Sequence, residues 1–221
     1  MATDYLIYSE QTISDFTASK VAEHYNQGFI FGRRHRGDMY QTRSLRINLQ
    51  DFVQSSENRR VLRRTENLRL SVVALPYPDY SWEIHQLGKT FYSQKFGDGT
   101  MSASKIKSLF TQPELNNFNA VFTYSQENRN LGYCIAYLGD KIVHYTYPFY
   151  ETGLIGQTIG IAMMTKAIVW AKENGHDYIY LGSVADKTAK YKLQFSGLEW
   201  WDNQNSQWST DLADLKERIE N

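Results

Sequence analysis

Ten arginines lie between Arg33 and Arg69, at positions 33, 34, 36, 43, 46, 59, 60, 63, 64 and 69, with only Asp38, Asp51, Glu57 and Glu66 to offset them. That segment is +6 in a 221-residue chain of zero net charge, so the remainder is −6. None of its basic positions is Lys. A guanidinium presents a planar fork of donors matched to phosphate or carboxylate, which an ammonium does not. Clustered arginine is the footprint expected of a polyanion partner, because neutralising phosphates releases counterions. A solvated basic face is the alternative. Arg59, Arg60, Arg63 and Arg64 follow i, i+1, i+4, i+5 spacing, which sets the four on one side of two helical turns while Val61 and Leu62 point elsewhere. They are candidates for phosphate contact. Arg33 and Arg34 are candidates for an acidic side chain of a substrate, with a plain surface role equally open.

Other chemistries are bounded by what the chain holds. Its one Cys, Cys134, excludes an intrachain disulfide and the cysteine-rich zinc and cluster sites. The five His show no ligand spacing with acids or Cys, so no metal is expected. His144, in a β-rich run, is a candidate base, although a lone His is more often structural. Sixteen Tyr supply rings for packing and for cleft walls; Tyr145 and Tyr180 fit either role. Tyr191 and Lys192 are candidates for a site, with packing as the alternative; Lys192 suits a carboxylate or phosphate, though Lys stems also snorkel along apolar surfaces. Gly153, Gly156 and Gly160 invite a phosphate-cradling reading, but their spacing suits the geometry of a helix start better.

These residues need a scaffold, and 42% hydrophobic with 22% charged residues is ordinary for a globular chain able to bury a core. No apolar run approaches the roughly 18 to 20 residues needed to span a bilayer. The first 15 residues lack a basic and an apolar region of secretory type, so a cytoplasmic protein with no membrane partner is expected. The pattern predicts a helix over 12–27 capped by Ser14, a strand around Leu45, Ile47 and Leu49, and a helix after Ser55 or Ser56. A strand at 69–75 and two helices flanking Gly97–Gly99 follow. Strands are predicted at 119–124, 131–138 and 141–147, the last two joined by Gly139-Asp140. A long helix begins near Thr158 or Gly160 and stops at Gly175; a strand at 177–184 and a C-terminal helix burying Leu212, Leu215 and Ile219 complete the chain. This is an α+β pattern, read as a small basic N-terminal subdomain (1–70) and a larger domain (71–221) packed as one unit.

Hairpin, glycine-bearing loop, helix, strand is the order of the GNAT acyltransferase core. Four segments sharpen the likeness. TIGIAMMTKAIVWAKENGHDYIYLG resembles, without gaps, the helix-start and Tyr-Leu-Gly strand block of the aminoacyl-tRNA–protein transferases, and KYKLQFSGLEWW resembles the block that follows it. SSENRRVLRR and GFIFGRRHRGDMYQ are similar to that family's Arg-Arg elements. YSQKFGDGTM is similar to its basic-residue and Gly-Asp-Gly segment. The resemblance runs from about Tyr5 to Trp201. It departs where relatives carry cysteines: Asp4 precedes Tyr5-Leu6, and Tyr40 runs almost directly into RSLRINL. An iron–sulfur or zinc site of relatives is therefore not expected here, and aminoacyl-tRNA is the only co-substrate.

The resemblance implies transfer of Leu or Arg from charged tRNA to the N-terminal α-amine of proteins beginning with Asp or Glu, marking them for degradation. It implies that the acyl carbonyl lies where the strands of KIVHYTY and DYIYLGSV part, bordered by Tyr145, Tyr180 and Gly182. Tyr191, Lys192, Tyr180 and His144 are then the catalytic candidates. Arg33, Arg34, Tyr145, Gly182 and Lys95 are the substrate-contact candidates, and Arg59, Arg60, Arg63 and Arg64 those for tRNA. An aminoacyl ester is already activated, so alignment, worth about 7 to 11 kcal/mol, outweighs a base worth about 10² to 10⁴-fold. The same core supports two rivals, an acyl-CoA-dependent N-acyltransferase and a non-catalytic binding module.

Overall fold

β-Branched and aromatic runs dictate the strands, and helical stripes fill the intervals. The computed structural model describes residues 6–154 and 158–220; Asp4, Tyr5 and Gly156 lie outside them. In chain order the elements are β1 (Ser9–Thr12), α1 (Ala18–Asn26), β2 (Phe29–Phe31), β3 (Asp38–Gln41), β4 (Ser44–Asn48), α2 (Ser56–Arg64) and β5 (Arg69–Ala74). Then come α3 (Trp82–Phe96), α4 (Ala103–Thr111), β6 (Ala120–Gln126), β7 (Arg129–Leu138) and β8 (Ile142–Tyr150). The chain ends with α5 (Ile159–Glu173), β9 (Tyr178–Ser183), β10 (Leu198–Asp202), β11 (Gln207–Ser209) and α6 (Leu212–Glu220). The contacts divide it into two compact units, one of 1–55, 139–144 and 171–221, the other of 56–138 and 145–170. The first break falls between Ser55 and Ser56: α2 leads directly into β5, and β5 pairs along its length with β6.

In the first unit β11, β10, β4 and β9 pair antiparallel in that order, and β9 pairs parallel with the start of β8 over Ile142–His144. A separate antiparallel sheet runs β1-β3-β2. It shortens the helix predicted over 12–27: Ser9–Thr12 pairs with β3, and α1 spans only Ala18–Asn26. Ser14 therefore caps nothing, and the turn into α1 is held by the Asp15 carboxylate accepting from Thr17 N–H. Gly28, at φ +81°, ends the helix and lies under Trp201, whose ring a Cβ there would meet at 2.2 Å. Among the helices of the described residues, none is long and apolar enough to cross a membrane.

In the second unit β8, β7, β6 and β5 are neighbours in that order. β6 and β7 are buried through most of their length, so their sequences read as continuous apolar runs. Their turn carries φ +50° at Glu127 and +63° at Asn128, the mirror-image geometry that matches strand twist. α5 packs Ala162, Met163, Ala167 and Ile168 inward, and Gly132 lets it approach: a Cβ there would sit 3.0 Å from Met163 Sδ. At the far end of α5, which lies in the first unit, Gly175 adopts φ +76° and its N–H bonds the Lys172 carbonyl, as its C′ position predicts. The mixed α+β class and the order β7–β8, α5, β9, with β9 parallel to β8, are those expected of a GNAT-like core.

Candidate acyl-transfer site

In the first unit, β9 carries the predicted residues Tyr180 and Gly182, and the 3-10 helix Lys187–Gln194 carries Tyr191 and Lys192. The β8–β9 register ends at His144 opposite Tyr180, and both residues are fully buried. The Tyr25 ring packs against them, 4.8 Å from Tyr180 and 5.7 Å from His144 between centroids. Tyr25 Oη accepts from Phe31 N–H at 3.3 Å and is hydrogen-bonded to His144 Nδ1 at 2.9 Å. Burial, then the nearby Lys192 charge, pushes the His144 pKa down to about 3. A base working near neutrality needs a pKa near the working pH, whereas the buried His144 ring is neutral there. Tyr180 is pushed up to about 12, by burial first and against the pull of Arg46, and keeps its proton.

Beyond Tyr180 the strand bulges: Ser44 faces Ser183 while Arg46 faces Tyr180, so β9 fits an extra residue against β4. Gly182 makes this bend at φ +74°, a conformation that would strain a residue with a Cβ. Lys192 Nζ donates to Leu181 O at 2.8 Å and to Ser183 O at 2.9 Å, so one ammonium spans the two carbonyls on either side of Gly182. Tyr191 is exposed on the same 3-10 helix. Arg33 is half-buried; Arg34 is exposed and 3.7 Å from Glu10.

Sequence reasoning passed over the group that braces Tyr180. Arg46 is buried, donates to Glu199 at 2.5 Å, to Tyr180 Oη at 3.3 Å and to Asn26 Oδ1 at 3.3 Å. Its guanidinium lies 4.0 Å from the Tyr178 ring centre and 4.2 Å from that of Trp208. The alternation of Leu45, Ile47 and Leu49 places Arg46 on the opposite face, and that was the available signal.

The second unit holds the other candidates. Arg59, Arg60, Arg63 and Arg64 are all exposed on α2, which Asn58 and Val61 anchor from the buried side. Arg60 forms a two-pronged pair with Glu57 at 2.6 and 2.5 Å. Tyr145 is buried with its ring against Phe122. Lys95 Nζ lies 5.2 Å from the Phe91 ring centre, 5.4 Å from Phe96 and 5.8 Å from Tyr150; desolvation lowers its pKa. Among the described residues, no three His, Cys, Asp or Glu converge to hold a metal ion.

The family model "Arginine-tRNA-protein transferase, C terminus" matches residues 29–202, a span covering β2 to β10 and every candidate named above. The chain belongs to this family. Two relatives named aspartate/glutamate leucyltransferase are similar to it: one from Cereibacter sphaeroides, 28% identical over 165 residues (71% of this chain, 58% of the relative), and one from Azorhizobium caulinodans, 29% identical over 167 residues (69% and 66%). The chain thus spans roughly six tenths of the curated relatives it matches. Among solved structures it resembles the C-terminal domain of an Agrobacterium fabrum protein assigned as a lysylphosphatidylglycerol synthetase, with a TM-score of 0.50 at 13% identity, covering 94% of this chain and 70% of that one. At that identity the likeness speaks for the fold alone.

Proposed function

We propose that this chain transfers an aminoacyl group, leucyl before arginyl, from charged tRNA to the α-amine of proteins that begin with Asp or Glu. The observation that carries the reading is the family match over residues 29–202, and the printed names of the relatives support Leu as donor and acidic termini as acceptors. The α-amine, with a pKa of about 7.7 to 8.0, is partly neutral near pH 7 and attacks the ester carbonyl; the C–O ester bond then breaks with its electron pair going to the tRNA oxygen, and the proton lost by the attacking nitrogen balances, through solvent, the one that oxygen takes up. No metal or redox cofactor enters, and the work of the protein is alignment.

In this reading the α2 arginines hold tRNA phosphates, Arg33 and Arg34 meet the acceptor's carboxylate, and the Gly182–Lys192 end of β9 receives the reacting groups. His144 and Tyr180 form the wall behind them. Exposed Tyr191, beside Lys192 on the same 3-10 helix, is placed to meet the reacting groups. A cytoplasmic setting, where charged tRNA is available, and a role in marking proteins for degradation follow from the same reading. The test crosses leucyl- and arginyl-tRNA with peptides beginning Asp, Glu or Lys, read by product mass. Leucine on the Asp and Glu peptides is the expected result. No product with either tRNA, or acylation from acetyl-CoA instead, overturns it.

A further inference from the structure

Two backbone carbonyls converging on one ammonium make a small receptor for an amine, and here the occupant comes from the chain itself. Lys192 Nζ is hydrogen-bonded to Leu181 O and Ser183 O, 2.8 and 2.9 Å away, while Gly182 between them bends the strand so that both carbonyls can be reached at once. The ammonium is only partly buried, so an incoming group can reach it from solvent. The element that delivers it lies at the surface. Lys187–Gln194 is an eight-residue 3-10 helix with no buried residue, and 3-10 hydrogen bonding is poor enough that runs beyond three or four residues are uncommon. Asp186 caps Thr188 at its start, and Lys190 pairs with Glu220 at 2.6 Å on the surface. Moving such a segment disturbs little of the core.

We propose that the Leu181 and Ser183 carbonyls are the binding cradle for the acceptor's N-terminal α-amine, and that Lys192 is an internal placeholder which leaves when an acceptor docks. This rests on the transfer reading above for the identity of the amine. The chemistry of the cradle suits both protonation states. An α-ammonium docks as the Lys192 ammonium does. After its proton passes to water, the neutral amine still donates two N–H bonds to the two carbonyls. Its lone pair is then aimed away from β9, the direction from which an ester carbonyl must arrive. A lysine side chain in the cradle also gives selectivity: a free α-amine brings enough N–H donors to replace both bonds, whereas an acetylated terminus has one N–H for two carbonyls.

A peptide beginning with Asp and its N-acetylated twin are titrated into the protein by calorimetry, without tRNA, using the wild-type chain, Lys192→Met and Lys192→Arg. A self-occupied site weakens the apparent affinity by the fraction of time it is vacant, so with a vacancy of about 10% the Lys192→Met protein binds the free-amine peptide about tenfold more tightly. The acetylated twin gains nothing, and Lys192→Arg, which still fills the cradle, stays near wild type. Equal or weaker free-amine binding by a folded Lys192→Met protein overturns the proposal. If that variant does not fold, ¹⁵N-lysine NMR of the wild type decides. The hydrogen-bonded ammonium resonance of Lys192 is lost on adding the free-amine peptide and kept with the acetylated one; a resonance indifferent to both overturns the proposal. Transfer without Lys192-linked binding sinks the cradle alone, and Lys192-linked binding without transfer sinks only the enzymatic reading.

Discussion

Arg46 and the α2 arginines come from one basic stretch of sequence and are put to opposite uses. Arg46 is buried in the first unit, closed in by Glu199, Tyr180, Asn26 and two aromatic rings. In the second unit Arg59, Arg63 and Arg64 stand on an exposed helix face whose anchoring residues are Asn58 and Val61. The first kind of arginine is part of the fold, because removing it strands a desolvated carboxylate. The second kind adds little to the fold and is free to be selected for what it binds. The excess of positive charge that marks the segment is thus two signals superposed, and only burial separates them.

The largest effect that would break this contrast lies at Arg46. Arg46→Ala leaves the mostly buried Glu199 carboxylate without its partner, and a loss of about 3–5 kcal/mol in urea-unfolding stability is expected. The double variant Arg46→Met with Glu199→Leu recovers most of that loss, because the pair is replaced by packing. A single variant as stable as wild type would put Arg46 in the same class as the α2 arginines. Next in size is a pH effect at the wall of the same unit. His144 titrates at about 3 in the fold against 6.5 when unperturbed, so between those values the unfolded chain binds the extra proton. Stability conferred by the neutral ring is therefore complete above pH 6.5 and falls by about 1.4 kcal/mol per unit as pH drops toward 3. Unfolding free energies of wild type and His144→Gln from pH 7 to 4.5 test this; the variant's curve is the flatter one.

How much of this was legible in the sequence depended on how local its cause was. Strands β6 to β9 announced themselves because β-branched and aromatic residues buried along most of their length leave continuous runs. Strands β1 and β3, with sequences SEQT and DMYQ, carry no such pattern. Their pairing is decided by a partner distant in sequence, which is why a helix was expected from residue 12. The turn at Glu127-Asn128 adopts positive φ without a glycine to signal it. At the candidate site, Tyr180, Gly182, Lys192 and His144 were each named from sequence, and the first unit gathers them at one end of β9. What Lys192 touches depends on the bend at Gly182 and on an eight-residue 3-10 helix, neither of which periodicity encodes. Arg46 was counted as charge when its neighbours made it a brace.

The smallest effect on the fold, and the sharpest on the comparison, belongs to α2. Replacing Arg59, Arg63 and Arg64 together by Ala removes three exposed guanidinium groups and leaves Val61 in place, so the unfolding midpoint is expected to stay where it was. The proposed function requires a different consequence. Each phosphate neutralised contributes about −0.7 to −0.9 to the slope of log affinity against log salt, so the triple variant flattens that slope by about 2 to 3 for tRNA. Arg60→Ala separates the two roles further, since Arg60 is engaged by Glu57 and its loss frees that carboxylate to repel the same polyanion. Its cost in tRNA affinity should therefore exceed the cost of Arg60→Ala with Glu57→Gln. A triple variant that binds tRNA with unchanged affinity and slope would make α2 a solvated face, and the contrast with Arg46 would then be one of burial without a difference in use.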